Sequence, residues 1–172
     1  MLLLRFRNLP HPAIRNHRRT LNEAGYAWWG WWKKFHENPQ IDLWKTFAAM
    51  AARSGGVVGL FDSGSPAGDV CRARVSRVLI SRMNEFDDCE TFFPDTQEWP
   101  FIPDYYRPDG PDDESISCAW VALNSIEERP CSFFGHYELV STDATFSGMV
   151  LNDPQQLKDQ DQSLWHVRRT RR

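Results

Sequence analysis

Apolar and polar positions along the 172 residues change their spacing several times, and each change marks an element. Residues 2–8 alternate apolar and basic after the opening leucines, which predicts a short strand with Leu4 and Phe6 facing inward, ended by Pro10 and Pro12. From Ala13, the positions Ile14, His17, Leu21 and Ala24 return at helical spacing and stop at Gly25, the pattern of a helix with a glycine C-cap. A second helix is predicted from Ile41 to Arg53, with Leu43, Phe47, Met50 and Ala51 as its apolar stripe and Gly55-Gly56 as its exit. Val57 to Phe61 reads as a buried strand closed by the turn-rich stretch Asp62 to Gly68. Asp69 to Ile80 is the clearest strand, with Cys71, Ala73, Val75 and Leu79 on one face and Arg72, Arg74 and Ser76 on the other.

Between Ser81 and Ser117 the periodicity is lost in a mixture of prolines, acids and aromatic residues. Such aromatic density predicts a long insert that folds back over the core. Cys118 to Ile126 and Phe133 to Ser141 read as strands, with Gly148 to Val150 as a further short one. After Asn152 the chain is Gln- and Asp-rich, which predicts a peripheral helix followed by a loose tail. The expected organisation is a single α+β domain over 1–152, with the insert at 81–117, and a peripheral helix and basic tail over 153–172.

Composition adds one anomaly, eight tryptophans and 13% aromatic residues in a chain whose 41% apolar and 25% charged content is otherwise ordinary. No stretch approaches the roughly 20 apolar residues of a membrane span, and the start has too few apolar residues for a signal peptide, so a cytoplasmic location is expected. Cys71, Cys89, Cys118 and Cys131 are far apart with no C-x-x-C pair and are expected to be buried free thiols. The net charge of −3 is unevenly spread: residues 1–34 carry seven Lys/Arg against one acid, while 35–167 carry nine against twenty-two. A basic N-terminal part can meet an anion while the acidic remainder limits indiscriminate nucleic-acid binding.

The segment Trp28-Trp29-Gly30-Trp31-Trp32-Lys33-Lys34 joins four large π faces, a glycine and two ammonium groups. These suit stacking on a base and neutralising a phosphate, and equally suit wedging the first helix onto a sheet. Adjacent tryptophans cannot all point one way, so some are structural under either reading. Arg72 and Arg74 side by side on a strand require an anion, an acid or solvent, which leaves a salt-bridged face and a phosphate site both open. Asp62-Ser63 after a buried strand is either a turn or the start of a ligand-contacting loop. Tyr105-Tyr106 could form a lid or a second aromatic wall, or simply pack on the core. His36-Glu37 is an acid/base pair or an exposed polar pair. The five histidines show no metal-ligand spacing, and no phosphate loop, nucleophile elbow or paired-carboxylate motif is present, so no cofactor, metal or catalytic residue is assigned.

The order of these elements resembles the PUA-like superfamily, in particular EVE and YTH domains. The likeness rests on Gly59-Leu-Phe-Asp-Ser-Gly64 followed by Gly68-Asp-Val-Cys-Arg-Ala-Arg-Val-Ser-Arg-Val78, which look like paired barrel strands. Ala119-Trp-Val-Ala-Leu-Asn-Ser-Ile-Glu-Glu128 is similar to the late strand of that group. The resemblance covers residues 1–141 and implies a small curved or closed β-barrel of five to six strands with two or three flanking helices. It also implies an aromatic slot for a flipped or modified nucleobase. The chain departs from it by placing five tryptophans between Trp28 and Trp44 and by its long insert. The stretch from Gly25 to Lys34 further resembles segments of sensor modules in bacterial conflict and defence systems.

The expected function is therefore recognition of a nucleotide or nucleic acid, including a modified base, in an aromatic slot with basic flanks. The ligand-binding candidates are Trp28, Trp29, Trp31, Trp32, Lys33, Lys34, Asp62, Ser63, Arg72, Arg74, Tyr105 and Tyr106. A protein-interaction module that docks a partner chain or works inside a larger multidomain protein is the alternative, and an enzyme of nucleotide or phosphodiester chemistry using His36, Glu37 or Asp62 is a third reading.

Overall fold

The structure, a computed structural model, describes residues 1–7, 12–34, 36–82, 90, 92–106, 117–140 and 148–171. The predicted first strand is β1 (Leu2–Phe6), and the first helix is α1 (Ala13–Ala24). Gly25 closes α1 at a φ of 89°, a left-handed conformation suited to glycine, and its N–H returns to the Leu21 carbonyl. The tryptophan run then forms a strand, β2 (Ala27–Trp31). Helix α2 (Ile41–Ser54) buries Trp44, Phe47 and Ala51, and β3 (Gly56–Asp62) and β4 (Val70–Ile80) follow as predicted. Two 3-10 segments, Thr96–Phe101 and Asp104–Tyr106, lie in the described part of the insert. β5 (Ala119–Ile126), β6 (Tyr137–Leu139), the single-turn α3 (Gln155–Lys158) and β7 (Leu164–Arg169) complete the chain.

All seven strands join one sheet in the order β2-β5-β4-β3-β1-β7-β6. β1 and β3 run parallel, with the chain from α1 through α2 as their crossover, and every other pair is antiparallel. The main core gathers Leu2, Leu4, Trp29, Trp31, Val58, Leu60, Ala73, Val75, Val121, Leu123 and Leu164, so strands from β2 to β7 surround one cluster that α2 plugs. The sheet is therefore strongly curved, with this cluster on its inner face. It is not closed and has seven strands, so the expected α+β class and curvature are present but a closed barrel of five to six strands is not.

The strand count also departs from expectation, for two physical reasons. Tryptophans at consecutive positions hide the period-two alternation that marks a strand, because both faces of β2 are buried. In the last segment the expected helix is α3, but the loose tail expected after it holds β7, where Leu164, Trp165 and Val167 are buried between β1 and β6. In β4 the predicted faces hold only to Val75. Register shifts between Arg74 and Arg77 turn Arg77 and Leu79 to the outer face and leave Val78 and Ile80 against the inner core. The cysteine expectation fails at Cys118, which is disulfide-bonded, whereas Cys71 and Cys131 are free. Cys89 lies outside the described residues.

Candidate functional site: the tryptophan strand and its two faces

Alternation along β2 divides the aromatic run. Trp29 and Trp31, 3% and 2% exposed, enter the inner core. Trp29 meets the ring of Phe6 edge-on at 5.2 Å, and Trp31 lies 5.4 Å from Trp44. Trp28, fully buried, faces outward into a second aromatic cluster with Ile102, Tyr106 and Trp120. Gly30 is on that same face, where a Cβ would come 2.2 Å from the Ser117 hydroxyl and 3.1 Å from the Trp120 ring. Only a glycine lets Trp120 lie across the strand at this point.

β2 is an edge strand, and its unpaired side is capped by side chains. His17 Nε2 lies 3.1 Å from the Trp28 carbonyl, the Tyr106 hydroxyl bonds the Gly30 backbone, and Ser163 Oγ lies 2.9 Å from the Trp32 carbonyl. These side chains cover part of the open edge that would invite another strand. His17 is wholly buried against Trp29 at 4.2 Å, with Nδ1 2.8 Å from the Ala13 carbonyl and 3.4 Å from the Tyr105 hydroxyl. Burial drives its pKa down to about 4, against the opposing pull of the Ala13 and Trp28 carbonyls.

The far end of β2 is fastened to β7 by Glu37. This carboxylate is 5% exposed and accepts from Lys34 N at 3.1 Å, Ser163 N at 2.8 Å, Ser163 Oγ at 2.5 Å and Leu164 N at 2.9 Å. Trp31 Nε1 donates to the same Ser163 hydroxyl at 3.0 Å. Glu37 is thus a buried acceptor and not an exposed polar group.

At this fastened end the run reaches the surface. Trp32 is 49% exposed and lies edge-on to Tyr106 at 6.2 Å. Lys33 Nζ donates to the Lys34 carbonyl, and Lys34 Nζ pairs with the exposed carboxylate of Asp161 at 2.8 Å. Tyr105 and Tyr106 sit 4.3 Å apart, and burial raises the pKa of both hydroxyls, that of Tyr106 to about 12. Trp32 is therefore brought against Tyr106, with Tyr105 behind it and Lys33 and Lys34 next in the chain.

The remaining candidates lie elsewhere. Arg72 pairs with Glu127 at 2.7 Å, and Arg74 is exposed opposite Val57 and Ser125. Val75 is level with Ala27 through Leu123 and Arg74 precedes it, so Arg74 is roughly 20 Å back along the sheet from Trp32 at ~3.3 Å per residue. Asp62 Oδ1 accepts the Gly64 N–H at 2.9 Å and Ser63 Oγ donates to the Phe6 carbonyl at 3.0 Å, a turn that ties β3 to the end of β1.

On the outer face, Glu98 in the first 3-10 segment accepts from the Tyr26 hydroxyl at 2.7 Å, Trp28 Nε1 at 2.9 Å and Arg77 Nη2 at 2.9 Å. Burial raises its pKa, but the Trp28 and Tyr26 hydrogen bonds and the Arg77 charge outweigh this and hold it below the usual carboxylate range. No motif marks Ser163, Glu98 or Arg77, because their partners are distant in the chain, and His17 reads only as one position of the helical stripe. Tyr26, directly before the run, was the one accessible signal.

Among the described residues, no group of His, Cys, Asp and Glu could hold a metal, and no helix is long and apolar enough to cross a membrane. The acidic stretches Asp87-Asp88 and Asp112-Asp113-Glu114 lie outside the described residues. A family model described as Pua-like matches residues 2–172. No curated protein and no solved structure matches the chain.

Proposed function

The chain belongs to the Pua-like family, and on that premise we propose that it is a nucleic-acid recognition domain holding one unpaired base at the exposed end of β2. Family membership supports nucleic acid as the general class of ligand. The observation that carries the location is Trp32, the tryptophan of the run that is half open to solvent, directly ahead of Lys33 and Lys34.

In this reading the Trp32 ring stacks on the base, an interaction worth ~1–3 kcal/mol, with Tyr106 as the adjoining wall. Lys34 exchanges its exposed partner Asp161 for a phosphate, and Lys33 adds charge beside it. Trp28, Trp29 and Trp31 support the strand that presents Trp32. Tyr105 backs Tyr106 and His17 from inside.

The test is titration of the folded protein with single-stranded RNA and DNA, with and without modified bases, at several salt concentrations. Binding that weakens with salt and with Trp32→Ala is expected. Absence of any salt-dependent binding sinks the proposal. The partner-docking alternative gains no specific support: among the described residues the exposed large apolar side chains are Trp32 just after β2, Met50 in α2 and Val57 in β3.

A further inference from the structure

We propose a second nucleotide subsite on the outer face of the sheet, built from Tyr26, Trp28 and Arg77 and covered in cis by Glu98 and Phe101. The ligand class rests on the nucleic-acid reading above, while the site itself is separate from Trp32. Its receptor groups stand on or beside strands, with Trp28 in β2, Tyr26 just before it and Arg77 in β4. Its occupant is a different element, the 3-10 segment Thr96–Phe101.

Two features of that occupant match the two parts of a nucleotide. The Glu98 carboxylate collects a phenol O–H, an indole N–H and a guanidinium at 2.7–3.1 Å, with Arg77 Nη2 reaching both carboxylate oxygens. Such a donor set takes a phosphate oxygen equally well. Three residues on, Phe101 lies parallel to Tyr26 with centroids 4.0 Å apart and planes at 10°, the geometry of a stacked base. The Arg77 guanidinium also sits 4.8 Å from the Trp28 ring and 5.6 Å from that of Tyr26, which orients it for an anion without any help from Glu98.

The cover and the arginine of the receptor reach the surface, the side chains of Arg77 and Glu98 being 48% and 19% exposed, while Trp28 lies buried beneath them. Lifting the cover therefore opens the subsite without disturbing the inner core. A covered site binds with its intrinsic affinity reduced by the fraction of time that it is open. Removing the mimic should consequently tighten binding.

Fluorescence anisotropy with a labelled single-stranded oligouridylate tests this on the full chain. Glu98→Gln, which keeps the shape of the cover, and Glu98→Gln with Phe101→Ala, which vacates the site, are both expected to bind about tenfold more tightly than wild type. The gain should vanish with Arg77→Gln and survive Trp32→Ala, with thermal melts confirming that each variant is folded. Unchanged affinity in folded Glu98→Gln and in the double variant overturns the proposal, as does a gain indifferent to Arg77→Gln or abolished by Trp32→Ala. So does a vacated variant that binds a peptide copy of residues 95–102 but no oligonucleotide. The failures are separable: wild-type binding lost with Trp32→Ala but indifferent to Glu98 leaves only the β2 site. A gain in the vacated variant, with wild-type binding insensitive to Trp32, leaves only this one.

Discussion

The hydroxyl of Ser163 lies 2.5 Å from Oε2 of Glu37, and this contact joins the open edge strand of the sheet to the strand beside β1. The same hydroxyl faces the Trp32 carbonyl and the Trp31 indole, so one buried acceptor fixes where the exposed tryptophan stands.

Glu37→Gln places an amide NH₂ where backbone N–H groups and a hydroxyl now donate, and it should cost about 2–4 kcal/mol, since buried donors lose a charged acceptor. Ser163→Ala should cost less, about 1–2 kcal/mol. Urea denaturation of the two variants checks the order.

The tryptophans should separate by role. Trp29→Ala and Trp31→Ala remove rings from the inner core and should each destabilise by about 3–5 kcal/mol. Trp32→Ala should change stability by less than about 1 kcal/mol while weakening oligonucleotide binding about 5- to 150-fold, the equivalent of losing one stacked base. Melting curves and titrations on the same samples test the split.

Gly30→Ala brings a methyl group against the Ser117 hydroxyl and the Trp120 ring, and Ser117 Oγ is already buried without a hydrogen-bond partner among the described residues. Overpacking of this kind should cost about 1–3 kcal/mol and disturb the near-ultraviolet circular dichroism of the outer aromatic cluster.

His17 gives a pH dependence with a defined sign. Its pKa falls from 6.5 to about 4 on folding, so between those values the unfolded chain binds a proton that the folded chain does not. Stability should therefore be lost as pH falls from about 6.5 towards 4, by about 3 kcal/mol at the lower end. His17→Gln should remove that slope while leaving the contribution of the carboxylates. Denaturation curves of both proteins across this interval decide it.

Local chemistry was legible in the sequence and long-range chemistry was not. Gly25 as the end of α1, and Phe47 and Ala51 of the α2 stripe, follow from spacing that the chain itself carries, whereas the expected Met50 is exposed and Trp44 is buried in its place. Glu37 reads as half of a polar pair with His36 because its four donors come from Lys34 and from residues more than 120 positions away. Arg72, Arg74 and Arg77 look like one alternating row with a break, and only the irregular pairing with β5 shows which face each takes.

The sequence by itself determined the α+β class, most element positions and the Pua-like likeness, because backbone propensity and apolar periodicity act over a few residues. The tertiary structure decided the fate of the tryptophan run. Whether a ring is core or surface depends on what lies across the strand, and here the Trp29 and Trp31 faces meet the curled sheet. The Trp28 face meets the folded-back insert, and Trp32 alone of the four projects past both covers.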